Sequence, residues 1–365
     1  MFADPDSPMA GRSSSNLSAA SAIASALFLA TALICSGCRP SPPQDTASTD
    51  RRQQAALSDP GNPLPYGWIR VAGADLPRSS AGVQQLPATM RSDDGVDVTI
   101  SDSSRTIAGG DDVISVMEAL GLERQVYAAP LRSATKAGRA APKQFLFNRN
   151  TGVEGILSLD ATLFLGNSLR RHAHSGLAEK LRNAGLPAVV VDDLQPAPDK
   201  IRKLASALGL PAHGDALATQ VQTQLDRAAR IGASHQRKPR IIHVSASGAG
   251  GKPTVGGKDS AAANVIRIAG GVNVGDAAGV GDYSQLSQEG VIAADPEVIL
   301  VTENDLSLFG GEAGLWQAYP SLQRTPAGLA NRVWVMPDTQ LKSASVGSGV
   351  GAIALAEALA ALAKQ

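Results

Sequence analysis

Residues 154–165 read Glu154-Gly-Ile-Leu-Ser-Leu-Asp-Ala-Thr-Leu-Phe-Leu165, and residues 289–300 read Glu289-Gly-Val-Ile-Ala-Ala-Asp-Pro-Glu-Val-Ile-Leu300. The two stretches share Glu, Gly, Asp and the last Leu, four of twelve positions, and apolar residues mostly face apolar ones elsewhere. Each reads as a short helix, a turn and a buried strand. An offset of 135 residues is domain-sized, unlike the roughly 20–50-residue period of a solenoid. The pattern therefore implies two lobes built on the same helix–turn–strand unit. Two similar α/β lobes with a cleft between them form a ligand clamp.

Outward from this repeat, the chain alternates short apolar strands with helices. VDVTI (96–100) has a strand's two-residue period. After Thr106-Ile107-Ala108-Gly109-Gly110, Asp112 stands as the N-cap of a helix with Val113, Val116, Met117 and Leu120 on one face. Further elements are expected at 154–159 (helix), 162–165 (strand), 176–184 (helix) and 188–191 (strand, AVVV). Two helical stretches follow. Ile201, Leu204, Ala205 and Leu208 share one face; from the candidate cap Asp215, the apolar residues Leu217, Val221, Leu225 and Ala229 recur every fourth position. From Pro239 the α/β rhythm resumes, with strands at 240–245, 298–302 and 332–336, a Gly-rich loop at 248–257, and helices at 261–268, 315–319 and 351–364. The expected fold class is α/β: two lobes with central parallel-type sheets flanked by helices, joined by one long helix.

Composition narrows the function. The 365 residues balance 33 Lys+Arg against 33 Asp+Glu, so net charge gives no reason to expect a nucleic-acid partner or a polybasic hold on anionic lipid. The only cysteines, Cys35 and Cys38, lie near the N-terminus. The folded part thus has no disulfide scaffold, Cys-ligated zinc, iron–sulfur cluster or cysteine nucleophile.

Residues 19–37 (AASAIASALFLATALICSG) are an apolar run behind Arg12 that ends in small residues, the layout of a signal peptide. Ser-Gly-Cys38 resembles the lipobox of bacterial lipoproteins, which implies lipidation of Cys38, although Cys35 stands where the lipobox usually has Leu. A plain N-terminal anchor and an ordinary cleaved signal are the other readings. All three place the rest of the chain outside the cytoplasm, periplasmic or at the cell surface. Residues 39–64 are rich in Pro, Ser, Asp and Gln and read as a tether. The boundaries expected are 1–37 signal peptide, 38–90 tether, 91–200 N-terminal lobe, 201–236 connecting helices and 237–365 C-terminal lobe, with the fold beginning between Pro65 and Val96.

Five segments in order carry a resemblance: TISDSSRTIAGGDDVISVMEALGLERQVY (99–127); VEGILSLDATLFLG with LAEKLRNAGLPAVVVDD (153–193); VGGKDSAAANVIRIAGGVNVGD (255–276); YSQLSQEGVIAADPEVIL (283–300); and PSLQRTPAGLANRVWVM (320–336). From about Leu86 to Lys364 the chain resembles the class III substrate-binding proteins of ABC importers, most of all their hemin-binding branch. The resemblance implies two α/β lobes joined by a long helix (here Asp215–Ile231), a small closing motion, heme as transported ligand and not as a catalytic cofactor, and a membrane permease with its cytoplasmic ATPase as partners.

It also implies site roles. Glu154 and Glu289 match the paired glutamates that engage permease arginines. One carboxylate per lobe suits registration on a two-fold transporter, while the other reading is a first-turn Glu favoured by its helix dipole. The loop positions where relatives hold heme iron with Tyr or His are here Phe147 and Arg149. Phe147 suits stacking on a porphyrin face and Arg149 suits a propionate, and both also fit structural roles. His243, in the first strand of the second lobe, is the axial candidate, since a neutral imidazole ligates iron; a strand-end histidine in ordinary hydrogen bonds is the other reading. Tyr283 is a further cleft candidate on a loop.

His172 and His174, beside Arg170 and Arg171, form an H-x-H pair with no third ligand of known proximity and read as a solvated loop. Lys252 precedes Pro253 and the spacing of a P-loop fails, so nucleotide binding is dismissed. No G-x-S-x-G elbow or triad context supports an exported hydrolase. The reading is a non-enzymatic heme-binding component, with a corrinoid such as cobalamin, or a ferric siderophore, as the alternative ligand.

Overall fold

The computed structural model describes residues 63–74, 76–80, 82–145, 152–166, 176–246 and 253–364. The signal segment, Cys35, Cys38, Phe147, Arg149, Arg170, Arg171, His172, His174 and Lys252 lie outside them. The chain enters through β1 (Ile69–Arg70), then forms an antiparallel pair of β2 (Ala88–Arg91) and β3 (Asp97–Ile100).

VDVTI is thus a strand, but it folds back on β2 and does not feed the first helix. That role belongs to β4 (Thr106–Ala108), three wholly buried residues too few to show a period. β4 runs into α1 (Asp111–Ala119), which is capped by Gly110. Asp112 is therefore inside the helix and not its cap. Its carboxylate accepts a hydrogen bond from Lys200 Nζ at 2.9 Å.

The first sheet continues through β5 (Val126–Pro130), α2 (Lys136–Ala140), β6 (Lys143–Phe145), α3 (Val153–Leu157), β7 (Leu163–Gly166), α4 (Leu177–Asn183) and β8 (Ala188–Val190). Its order is β6-β5-β4-β7-β8, with every pair parallel. Parallel neighbours need crossovers. α5 (Ala197–Ala207) and α6 (Pro211–Ala233) then carry the chain to the second lobe. At 23 residues, α6 spans roughly 34 Å. It starts at Pro211, whose missing N–H is no loss in the first turn, so Asp215 lies within the helix and is not its cap.

The second sheet takes β9 (Arg240–Ser245), β10 (Thr254–Gly256), α7 (Ala261–Ile268), β11 (Val272–Asn273), α8 (Val274–Ala277), β12 (Tyr283–Ser284), α9 (Gln288–Ala294), β13 (Val298–Thr302), α10 (Glu303–Phe309), α11 (Glu312–Ala318), α12 (Pro326–Leu329) and β14 (Val333–Met336); α13 (Asp338–Leu341) and α14 (Ser348–Leu362) close the chain. The order is β1-β14-β13-β9-β10-β12, with β11 beside β9. Among the described strands of this sheet, β10 is antiparallel to both β9 and β12, and the other pairs are parallel.

The expected tether to residue 90 needs correcting. Trp68 is buried and donates to Asn331 Oδ1, Ile69 and Arg70 pair with Trp334 and Val335, and Gly73 exchanges two hydrogen bonds with Gln340. Averaged polarity hides the short apolar stretch Trp68–Val71, which a sheet edge can order by burying the indole. This N-terminal piece thus completes the second lobe.

Alternating residues of each strand serve different cores. Leu163, Leu165, Val298, Leu300, Trp334 and Met336 join one core with α5, α6 and α14 that is shared by both sheets. Phe164 and Ile107 belong to a core of the first lobe alone; Ile242, Ile299, Val301 and Val335 belong to one of the second. No described helix is long and apolar enough to cross a membrane.

Candidate functional site

In open parallel sheets ligands bind beyond the carboxyl ends of the strands. Here those ends meet. Asn304, just after β13, donates from Nδ2 to the carbonyl of Arg132, just after β5, at 3.2 Å. Ser345, in the loop after α13, donates to the carbonyl of Asp112, near the start of α1, at 2.8 Å. The candidate site is the set of side chains at this junction.

His243 and Tyr283 are brought together there. Tyr283 Oη lies 3.4 Å from His243 Nδ1, and the rings meet edge to face at 5.7 Å. The register decides His243's surroundings. It pairs with Leu300 in the middle of the sheet, on the same face as Ile241, and is 0% exposed, not at a strand end. Burial lowers its pKa to about 3, so the imidazole is neutral, and Nε2 has no hydrogen-bond partner among the described residues. Tyr283 sits in β12 and not in a loop, half-buried. Burial, and then the nearby Asp305 carboxylate, push its phenol well above the ordinary tyrosine value. Gly256 is the floor of the pair, because a Cβ there would lie 2.9 Å from His243 Nδ1 and 3.3 Å from the Tyr283 ring.

Beside the aromatic pair lies a charged knot that the sequence reading missed. Lys342 Nζ is 5.7 Å from the Tyr283 ring centroid and donates to both Asp305 carboxylate oxygens, at 3.1 and 2.9 Å, and to Ser245 Oγ at 2.9 Å. Asp305, 1% exposed, also accepts from Ser245 Oγ and from the Ala246 N–H. Burial is the largest influence on the Asp305 pKa and raises it, but the Lys342 charge, His243 and the hydrogen bonds from Lys342 and Thr302 together outweigh it and the net shift is downward. The knot pins the end of β9 where the chain enters residues 247–252. A signal for it existed: Thr302-Glu-Asn-Asp305 has capping-box spacing, and Thr302 Oγ1 does accept from the Asp305 N–H at 3.2 Å.

Glu154 and Glu289 belong to neither cluster. Both are exposed in the first turns of α3 and α9. In parallel sheets these helices start on the carboxyl-end side, so both glutamates sit on corresponding parts of the two lobes. The correspondence extends further than the sequence comparison. Asp160 and Asp295 both adopt positive φ, 55° and 48°, and they pair with Arg105 and Arg240 respectively. The carbonyls of those arginines accept from Thr162 N–H and Glu297 N–H. Every member of this second set is also displaced by the same 135 residues. Among the described residues no group of three or more His, Cys, Asp or Glu is placed to hold a metal ion.

Comparison with known proteins supplies the remaining finding. A family model described as periplasmic binding protein matches residues 107–339. No curated protein matches the chain. Among solved structures, a periplasmic heme-binding protein, RhuT from Roseiflexus sp. RS-1, is 30% identical with a TM-score of 0.61, over 72% of this chain and 100% of its own. The periplasmic heme-binding protein BhuT, solved in complex with two hemes, is 25% identical with a TM-score of 0.58, over 71% and 100%. HutB of Vibrio cholerae, also a periplasmic heme-binding protein, shares the fold at 22% identity and a TM-score of 0.55, over 72% and 99%.

Proposed function

Because this chain belongs to the periplasmic binding protein family, we propose that it is the extracytoplasmic substrate-binding component of a heme ABC importer. It takes heme between its lobes and delivers it to a permease driven by a cytoplasmic ATPase. Members of the family bind and hand on a ligand, so the chain is a transport component and not an enzyme. The observation that carries the heme reading is the 30% identity to RhuT over that protein's whole length. The meeting of both sheets' carboxyl ends supports it, since large ligands are taken there.

His243 is fully buried, with Tyr283 Oη 3.4 Å from its Nδ1. Coordination of heme iron by the neutral His243 therefore requires the side chains that cover it to move. Phe147 and Arg149, which lie outside the described residues, are assigned to the porphyrin face and a propionate. Glu154 and Glu289 are assigned to permease docking. Cys38 is assigned to lipid anchoring, which metabolic labelling with a fatty acid and its loss in Cys38→Ser would test.

The deciding experiment is a spectroscopic hemin titration of the purified protein. A Soret shift lost in His243→Ala is the expected result; a shift lost in Tyr283→Phe instead would transfer the iron to the phenol. A spectrum identical to free hemin, with binding of cobalamin or a ferric siderophore, would replace heme by the alternative chelate. For docking, the double variant Glu154→Ala/Glu289→Ala should abolish uptake and leave hemin affinity unchanged. Lost affinity would assign these residues to the fold or the cleft.

A further inference from the structure

The knot beside Tyr283 contains one hydroxyl between two carboxylates. Thr302 Oγ1 lies 2.9 Å from Asp305 Oδ2 and 2.8 Å from Asp338 Oδ1. Both are hydrogen-bond distances, and each contact needs a hydrogen. A threonine hydroxyl carries one. The second must therefore come from a carboxyl group. Asp305 is held ionised by Lys342 and two further donors. The extra proton accordingly sits on Asp338, which donates to Thr302 while Thr302 donates to Asp305. The other oxygen of Asp338 accepts from the backbone N–H of Asn304 at 2.9 Å, the residue whose side chain reaches across to the carbonyl of Arg132 in the first lobe.

We propose that Asp338 is a proton-operated latch: its protonated form locks Asn304 in the geometry that ties the second lobe to the first, and its ionisation releases that tie. With the proton gone, two carboxylates compete for one hydroxyl hydrogen, and repulsion drives the start of α13 away from Thr302 and Asn304. This goes beyond the transport reading and holds whichever ligand the lobes take.

The groups around Asp338 agree. Burial raises its pKa to about 7, opposed by Lys342 and reinforced by Asp305. From β9 and β12, His243 and Tyr283 are both neutral. On α10, Glu303 is paired with Arg70. On α1, packed against α13, Asp111 accepts from Ser133 and Ala134, and Asp112 is paired with Lys200. On α7, Arg267 is paired with Asp276. The sign follows from linkage. The locked state has the higher pKa, so locking takes up a proton. It strengthens by up to about tenfold per pH unit as pH falls below about 7, and is pH-independent above that.

The test measures the distance between spin labels at Lys136→Cys and Gln323→Cys, one exposed position in each lobe, in a chain carrying Cys35→Ser and Cys38→Ser. At about pH 5.5 the distribution should be narrow, and at about pH 8 it should broaden to longer distances. Asp338→Asn, whose amide donates to Thr302 as the carboxylic acid does, should stay narrow at both. Thr302→Val should lose the pH response. Difference infrared spectra should show a protonated carboxyl at the lower pH that vanishes in Asp338→Asn. Identical distance distributions for wild type and Asp338→Asn at both pH values, or absence of that carboxyl band, would overturn the latch.

Discussion

His243 is a fully buried imidazole with a lowered pKa, and this has a measurable consequence for stability. Its folded value is about 3 against an ordinary 6.5, with burial as the main cause. The unfolded chain therefore binds the extra proton first. The stability this group contributes is complete above pH 6.5 and is lost as pH falls toward 3, by up to ~1.4 kcal/mol per pH unit. Asp338 works in the opposite direction: its contribution is complete below its ordinary value of 3.8 and is lost as pH rises toward about 7. Urea titrations of wild type and His243→Leu across this range separate the two, because the difference curve contains only the imidazole. The variant should lack the acid loss; parallel curves would mean that His243 is solvated. At this scale the sequence marked the chemistry of His243 and Tyr283 but not their burial. Strand membership was legible in RIIHVS, whereas the side chain's cover comes from Tyr283 and Gly256, 40 and 13 residues further on.

Among the elements, α1 and α5 are joined by a nearly dry ion pair. Lys200 and Asp112 have side chains only 2% and 7% exposed, 2.9 Å apart. Removing one partner of such a pair strands the other charge, so Lys200→Met should cost about 3–5 kcal/mol. The double variant Lys200→Met/Asp112→Leu should recover most of that loss, as read by chemical denaturation; equal destabilisation of single and double variants would mean that the helices lose packing and not charge balance. The sequence placed both helices by their apolar spacing. It misread Asp112 as a cap because an acid at a helix start satisfies a local rule, and only the approach of a lysine 88 residues away shows what this acid does. The repeat behaves differently. Asp160 and Asp295 were legible as a matched pair, and their shared left-handed backbone gives the physical reason for an Asp there, since its short polar side chain tolerates that conformation.

Across the whole molecule, the inner faces of both sheets drain into one core with α5, α6 and α14. Neither lobe has an inner face of its own to keep buried when the other unfolds. The two should therefore melt together. Of the three tryptophans, Trp68 and Trp316 lie in the second lobe's own core and Trp334 in the shared one, so indole fluorescence of a Trp334→Phe variant reports the second lobe alone. Its urea transition should coincide with the loss of amide protection in β4, β5 and β7 of the first. Two separated transitions would show that the shared core does not couple them.

The sequence by itself determined the α/β class, the duplication, the long connecting helix and the positions of six of the fourteen described strands, because these depend on local periodicity and on a repeat that needs no third dimension to be seen. The tertiary structure alone decided that residues 68–71 finish the second sheet, that VDVTI turns back on its neighbour, and that Lys342, Asp305, Thr302 and Asp338 converge beside Tyr283. Sheet edges and buried charge networks are assembled from residues far apart in the chain, and their energies arise only once water has been excluded from the space they share.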